Sequence, residues 1–116
     1  MPFGIRDEHE ELASSLRRWV ESRCPSAVTR AALEAESDGL PPFWGDLASQ
    51  GTLGIHVPEE FGGQGAGMVE LAIVAEELGS AAAPGPWATT AVVSAVVAEA
   101  GAGVAKELLP GLADGT

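Results

Sequence analysis

The stretch Leu53–Gly79, LGIHVPEEFGGQGAGMVELAIVAEELG, decides how the rest of the chain is read. Ile55 and Val57 flank His56, an apolar/polar alternation that suits a short extended segment. Pro58 biases Val57 away from helix. Phe61 is a lone aromatic ahead of Gly62-Gly63-Gln64-Gly65-Ala66-Gly67. Four glycines in these six residues imply a backbone that visits positive φ, Gly63 included, or passes close to another group. A helix is predicted to open near Met68. Met68, Leu71, Ala72, Ala75 and Leu78 recur at three- and four-residue steps and form its expected buried face. Gly79 is placed to end it.

Two nucleotide-binding readings of the glycine run fail. A G-x-G-x-x-G frame beginning at Gly63 needs glycine where Met68 stands. A P-loop needs Lys-Ser/Thr after the glycines, and Glu59-Glu60 would repel a phosphate. Glu76-Glu77 is not a catalytic carboxylate pair, because neighbours on a helix point about 100° apart. Both are read as solvated or structural.

The 116 residues suffice for one domain with a real core. Apolar residues make up 46% and aromatics 5%, with no tyrosine. Alanine is abundant, so small side chains between closely packed helices are expected. A net charge of −11 argues against nucleic acid and anionic membrane surfaces as partners. Cys24 is the sole cysteine, which excludes an internal disulfide or a cysteine zinc site. Before Pro25 at a helix end it is read as inert. His9 has no second ligand spaced near it and is read as a surface residue; no metal site is expected. The first residues lack a basic-then-apolar leader pattern. Ala81–Ala98 is uncharged but broken by Pro84 and Pro86, and is read as a loop and a buried helix rather than a membrane span. A cytoplasmic protein is expected.

Ile5 to Arg23 forms the first predicted helix, with Ile5, Leu12, Leu16, Trp19 and Val20 on one side. Acids fill its first turns and Arg17, Arg18 and Arg23 come late, which complements the helix dipole. Pro25 ends it. Ser26 is the expected cap of a second helix reaching about Glu36, broken by Ser37-Asp38-Gly39. Pro41-Pro42 launches a third, Phe43 to Gln50, stopped by Gly51. Phe43, Trp44 and Leu47 are its apolar contacts, and Trp44 is read as core. Trp87 opens a fifth helix, in which Val92, Val93, Val96, Val97 and Ala100 repeat at helical spacing. The last helix runs from about Val104 to Ala113, kinked or interrupted by Pro110. The fold class is therefore all-α, a bundle of about six helices in one domain, 1–116.

The order Val57-Pro58-Glu59-Glu60-Phe61-Gly62-Gly63-Gln64-Gly65, a helix, then Glu76-Glu77-Leu78-Gly79 closely resembles the amino-terminal helical domain of the acyl-CoA dehydrogenase family. The resemblance extends upstream through Trp44–Gly51 and Leu53-Gly54-Ile55. Downstream it takes in Lys106–Gly115, and it covers nearly the whole chain. It implies a three-domain enzyme, in which a middle β-domain would begin about where Thr116 stands and a carboxy-terminal helical domain would follow. The family's reaction takes the α-proton of an acyl-CoA thioester with a glutamate and passes the β-hydride to FAD. That glutamate and most of the FAD contacts lie in the two other domains. No catalytic residue is assigned here, and the chain alone is expected to be inactive without holding FAD. Lys106 is the only lysine, so the cations for a CoA diphosphate must come from elsewhere. The family also implies an oligomer.

Two groups of site residues follow from the resemblance. The helix after the Glu-Glu-Leu segment lines the far end of the acyl pocket, which maps onto Trp87, Thr90, Ala91 and Ser94. Glu59, Glu60, Phe61, Gly62, Gly63 and Gly65 would form a loop beside the flavin or acyl site; their structural reading is a tight connection anchored by Phe61. The resemblance also implies that a Ser or Thr cap is missing at Arg6, so the first helix is expected to fray there. Two further readings stand beside a dehydrogenase domain. One is a helical module or fragment docking on a flavin-bearing partner. The other is an acyl-CoA oxidase or flavin monooxygenase of the same superfamily.

Overall fold

Six helices wrap a loop-built centre in the computed structural model, which describes residues 4–37 and 39–116. They are α1 (Asp7–Arg23), α2 (Ser26–Glu34), α3 (Trp44–Ser49), α4 (Met68–Ser80), α5 (Trp87–Ala100) and α6 (Ala102–Asp114), with a 3-10 turn at Glu59–Phe61. No strand occurs among the described residues. The molecule is a slab of 40 × 35 × 18 Å, about two helix diameters thick.

Two cores fill the slab. The main one joins Leu16 and Val20 of α1, Phe43, Trp44 and Leu47 around α3, Leu53 and Ile55, and Ile73, Val74 and Leu78 of α4. Trp19 meets Phe43 edge to face, with centroids 5.5 Å apart. The smaller core joins Val57, Val97 of α5, and Ala105 and Leu109 of α6, with Phe61 against it. The segment 53–57 thus serves both. Its apolar alternation suits a short extended segment; residues 53–56 instead form turns, with the Gly54 and Ile55 carbonyls accepting from the amides of Gln64 and Ala66.

Several local expectations are corrected by tertiary packing. The first helix starts at Asp7, and Ile5 is 62% exposed rather than on the buried side. Arg6 stands at the cap position without a side-chain cap bond. His9, expected at the surface, is 4% exposed, and its Nδ1 accepts the Arg6 N–H at 3.1 Å. Ser26 is the first residue of α2 and not its cap; Pro25 holds that position, and the helix stops at Glu34. Asp38 of the expected breaker lies outside the described residues. The third helix is shorter than expected by one residue at each end.

The buried face of α4 consists of Ile73, Val74, Glu77 and Leu78, whereas Met68 is 74% exposed and Ala72 and Ala75 face outward. Gly79 does not end α4. The helix passes through it to Ser80, and Ala82 takes the left-handed conformation beyond, at φ +50°. On α5 the buried residues are Ala91, Ser94 and Val97, while Val92, Val93 and Val96 are exposed. α6 begins at Ala102 and runs through Pro110 without interruption. Pro110 lies on the exposed side, where water can satisfy the carbonyl that its missing N–H leaves free.

Candidate functional site

The first turns of α5 carry one group of candidate residues. Trp87 is half-buried against the main core, and its indole N–H donates to the Thr52 carbonyl at 3.0 Å. The Thr52 hydroxyl in turn donates to the Leu47 carbonyl at 2.6 Å, so the indole is fixed to α3 through the loop. Thr90 is half-buried, Ala91 is buried, and Ser94 is fully enclosed. With Trp87 they form one stripe at helical spacing, turned toward the body of the domain. A half-open pocket of about 200 Å³ is lined by Trp87 together with Leu47, Ala75, Leu78 and Ala88.

His56 ties this stripe to the central loop. Its Nε2–H donates to the Ala91 carbonyl at 2.9 Å, which leaves Nδ1 as the lone-pair nitrogen. That Nδ1 and the Ser94 hydroxyl are both buried without a protein partner. Unpartnered buried polar atoms are uncommon in folded proteins. His56 belongs to the central loop and Ser94 to α5.

The glycine run folds back on the chain's own carbonyls. Gln64 N–H donates to Gly54 O at 3.0 Å, Gly65 N–H to Val57 O at 2.9 Å and Ala66 N–H to Ile55 O at 2.8 Å. Gly62 and Gly65 have φ of +90° and +65°, conformations that favour glycine. Gly63 is not left-handed. It is required for another reason, since a Cβ there would sit 2.0 Å from Val57 O. Phe61 anchors the turn on the smaller core. Glu59 and Glu60 are exposed, and the Glu59 side chain lies back across Gly65. The loop and the α5 stripe are therefore joined through His56 and Val57, while neither carboxylate is drawn into the α5 group. The backbone N–H groups of this run are spent internally, so it offers no open cradle for a flavin diphosphate.

Three polar features could not be read from spacing. His9 Nε2–H donates to Glu70 Oε1 at 3.0 Å, and Glu70 Oε2 accepts the Gly67 N–H at 3.1 Å. One imidazole and one carboxylate thus clip together the starts of α1 and α4. The Glu70 carboxyl is held below its usual range, first by its own backbone N–H and then by His9, with Gly67 adding to both. The only sequence trace of this clip is that His9 and Glu70 stand three residues after their helix caps, where a capping-box acceptor belongs.

Glu77 is 5% exposed and takes a two-pronged contact from Arg17, at 2.7 and 3.3 Å. The hydrogen bond and the charge of Glu77 raise the Arg17 guanidinium above its already high value. Glu76 is exposed, so the two adjacent acids do not share a site. Burial pushes the Cys24 thiol up, opposed in part by the Thr29 hydroxyl, which leaves little thiolate at neutral pH. No group of three or more metal-ligating side chains occurs among the described residues. No helix among them is long and apolar enough to cross a membrane.

These features define an all-α domain held together by a glycine-rich central loop, with one apolar helix face left bare. The chain belongs to the acyl-CoA dehydrogenase N-terminal domain family, whose model matches residues 6–116. It is similar to acyl-CoA dehydrogenase FadE34 of Mycobacterium tuberculosis, at 32% identity over 107 residues, 85% of this chain and 15% of that protein. Acyl-CoA dehydrogenase IpdE2 of Mycolicibacterium smegmatis is 34% identical over 98 residues, 84% of this chain and 32% of the relative. The solved structure of a variant of the Tcur3481-Tcur3483 steroid ACAD matches with a TM-score of 0.83 at 35% identity, covering 94% of this chain and 30% of that one. The chain therefore spans at most about a third of the length of these relatives.

Proposed function

We propose that this chain is the amino-terminal helical domain of a cytoplasmic, oligomeric, FAD-dependent acyl-CoA dehydrogenase that oxidises the Cα–Cβ bond of an acyl-CoA thioester. The middle β-domain and carboxy-terminal domain, on further chain or on a partner subunit, supply the flavin site and the catalytic base. This domain contributes a wall of the acyl pocket through the stripe Trp87, Thr90, Ala91 and Ser94, with the half-buried Trp87 and Thr90 facing the chain and the buried Ala91 and Ser94 backing them, and the glycine loop from Glu59 to Gly65 packs beside the site. The observation that carries the reading is the two-sidedness of α5. Its inner stripe is fixed on the domain body, while Val92 and Val96 are each 63% exposed and Val93 is 41% exposed. A helix with apolar residues on both sides is suited to a second layer of protein or to an apolar ligand. The charge of −11 with a single lysine fits a domain that leaves the CoA diphosphate to cations elsewhere.

In the complete enzyme, Trp87→Ala should merge the 200 Å³ pocket that the indole lines with the acyl pocket. The kcat/KM profile across acyl lengths should shift toward longer chains. An unchanged profile refutes the wall assignment. The division of labour is checked separately, by adding FAD to the 116-residue chain, gel-filtering, and scanning absorbance. A retained flavin spectrum would overturn the assignment of the cofactor site to other domains. A partner-subunit arrangement is a specific second reading, favoured by the paired name of the similar Tcur3481-Tcur3483 structure.

A further inference from the structure

Helix α2 stands apart from the rest of the fold. None of its side chains is buried, and Leu33 near its far end is 82% exposed. Its hold on the body lies at one end only. Val28 leans on the main core, and the Thr29 hydroxyl donates to the Ala82 carbonyl at 3.1 Å. Ala82 is the residue forced into the left-handed region at φ +50°, a conformation that alanine adopts only when its surroundings impose it. The helix is joined to α1 through buried Cys24 and extended Pro25, which has no N–H to carry a helical hydrogen bond across the junction. On the face that carries Val28, α2 looks onto Leu40, Pro41, Pro84 and Pro86 across an apolar groove of about 1040 Å³. Ala27 and Ala31 wall the helix side, and their side chains are too short to fill it.

Nine residues are too few to hold a helix in water without packing. The persistence of α2 therefore depends on the contacts at Val28 and Thr29. Elements with little buried apolar area and exposed backbone hydrogen bonds open first. We propose that α2 is a latched flap: with the Thr29–Ala82 hydrogen bond broken it detaches from the body beyond Cys24-Pro25 and unwinds, which opens the apolar groove.

Hydrogen-exchange mass spectrometry on the 116-residue chain tests this, with α1 and α4 as internal references. The α2 amides should exchange about ten-fold or more faster than those of α1 and α4. Thr29→Val should widen that gap while leaving α1 and α4 unchanged, and Thr29→Ser should restore it. Equal protection of α2 and α1 overturns the flap. Thr29→Val without effect on α2, or with equal loss of protection in all three helices, overturns the latch. Spin labels at Glu34→Cys and Ala88→Cys in a Cys24→Ala background, which puts no new hydroxyl beside Thr29, give the second measurement. A broad second distance population beside the docked one supports a detaching α2, and a single narrow one overturns it.

Discussion

Gly63→Ala should be the most damaging single-methyl change in the central loop. The added Cβ would meet Val57 O at 2.0 Å and the Val57 carbonyl carbon and Cβ at 2.5 Å. Contacts below about 3 Å do not persist, so the two strands of the loop must part by about 1 Å. That separation breaks the Gly65–Val57 hydrogen bond and strains the Gln64–Gly54 bond on the other side of Gly63. Two weakened bonds at about 1 kcal/mol each, with about 1–3 kcal/mol for overpacking, give a loss of about 3–5 kcal/mol. For a domain of this size the melting temperature should fall by about 12–20 °C. Gly62→Ala is the control. Its Cβ meets open space, so only the strain of φ +90° remains, about 1 kcal/mol. Urea unfolding followed by circular dichroism measures both. The reasoning is refuted if Gly63→Ala costs less than about 1 kcal/mol, or if Gly62→Ala costs more than Gly63→Ala.

Arg17→Met should lower the melting temperature more than Glu77→Gln, because it leaves a carboxylate that is 5% exposed without its cation, whereas glutamine keeps a neutral acceptor for the guanidinium; the reverse order in thermal melts would contradict the pairing. Glu70 has a folded-state pKa below its unfolded value, so its stabilisation is complete above the ordinary glutamate range, about 4.3, and is lost as pH falls through the lowered value. The gap in melting temperature between wild type and Glu70→Gln should be full at pH 6–7 and narrow below about pH 4; a gap that widens in acid would show the sign to be wrong. Trp87→Phe keeps most of the ring but removes the donor to Thr52 O, and should cost about 1 kcal/mol in urea melts, with no loss if that bond is idle. Cys24, buried and with its thiol pushed up, should react with a disulfide reagent far more slowly in the folded chain than in urea, and equal rates would contradict its burial.

The errors of sequence reading on α1, α4 and α5 share a cause. Periodicity finds an apolar stripe, but on alanine- and valine-rich helices several stripes are equally apolar. Beside Leu78, which was expected to be buried and is, Met68, Ala72 and Ala75 made as good a face for α4 as Ile73 and Val74, and the choice came from where α1 lies. On α5 Val97 alone of the expected valines is buried, beside Ala91 and Ser94, whose small side chains let the helix approach the loop closely. His9 shows the converse. A lone histidine among acids reads as solvated, and its burial depends on Glu70, 61 residues away.

The sequence by itself determined the helix count, the start of α4 at Met68 and of α5 at Trp87, and the closed turn after Pro58. These depend on proline, glycine and short-range periodicity, which act within a few residues. It also determined the family, through the order Pro-Glu-Glu-Phe-Gly-Gly-Gln-Gly. Only the tertiary structure decided which face of each helix is buried, that Gly63 is needed for contact and not for φ, and that His9 and Glu70 clip two helix starts together. It alone showed α2 standing off the body. Those outcomes are set by contacts between residues far apart in the chain, and local pattern carries no record of which neighbour will be there.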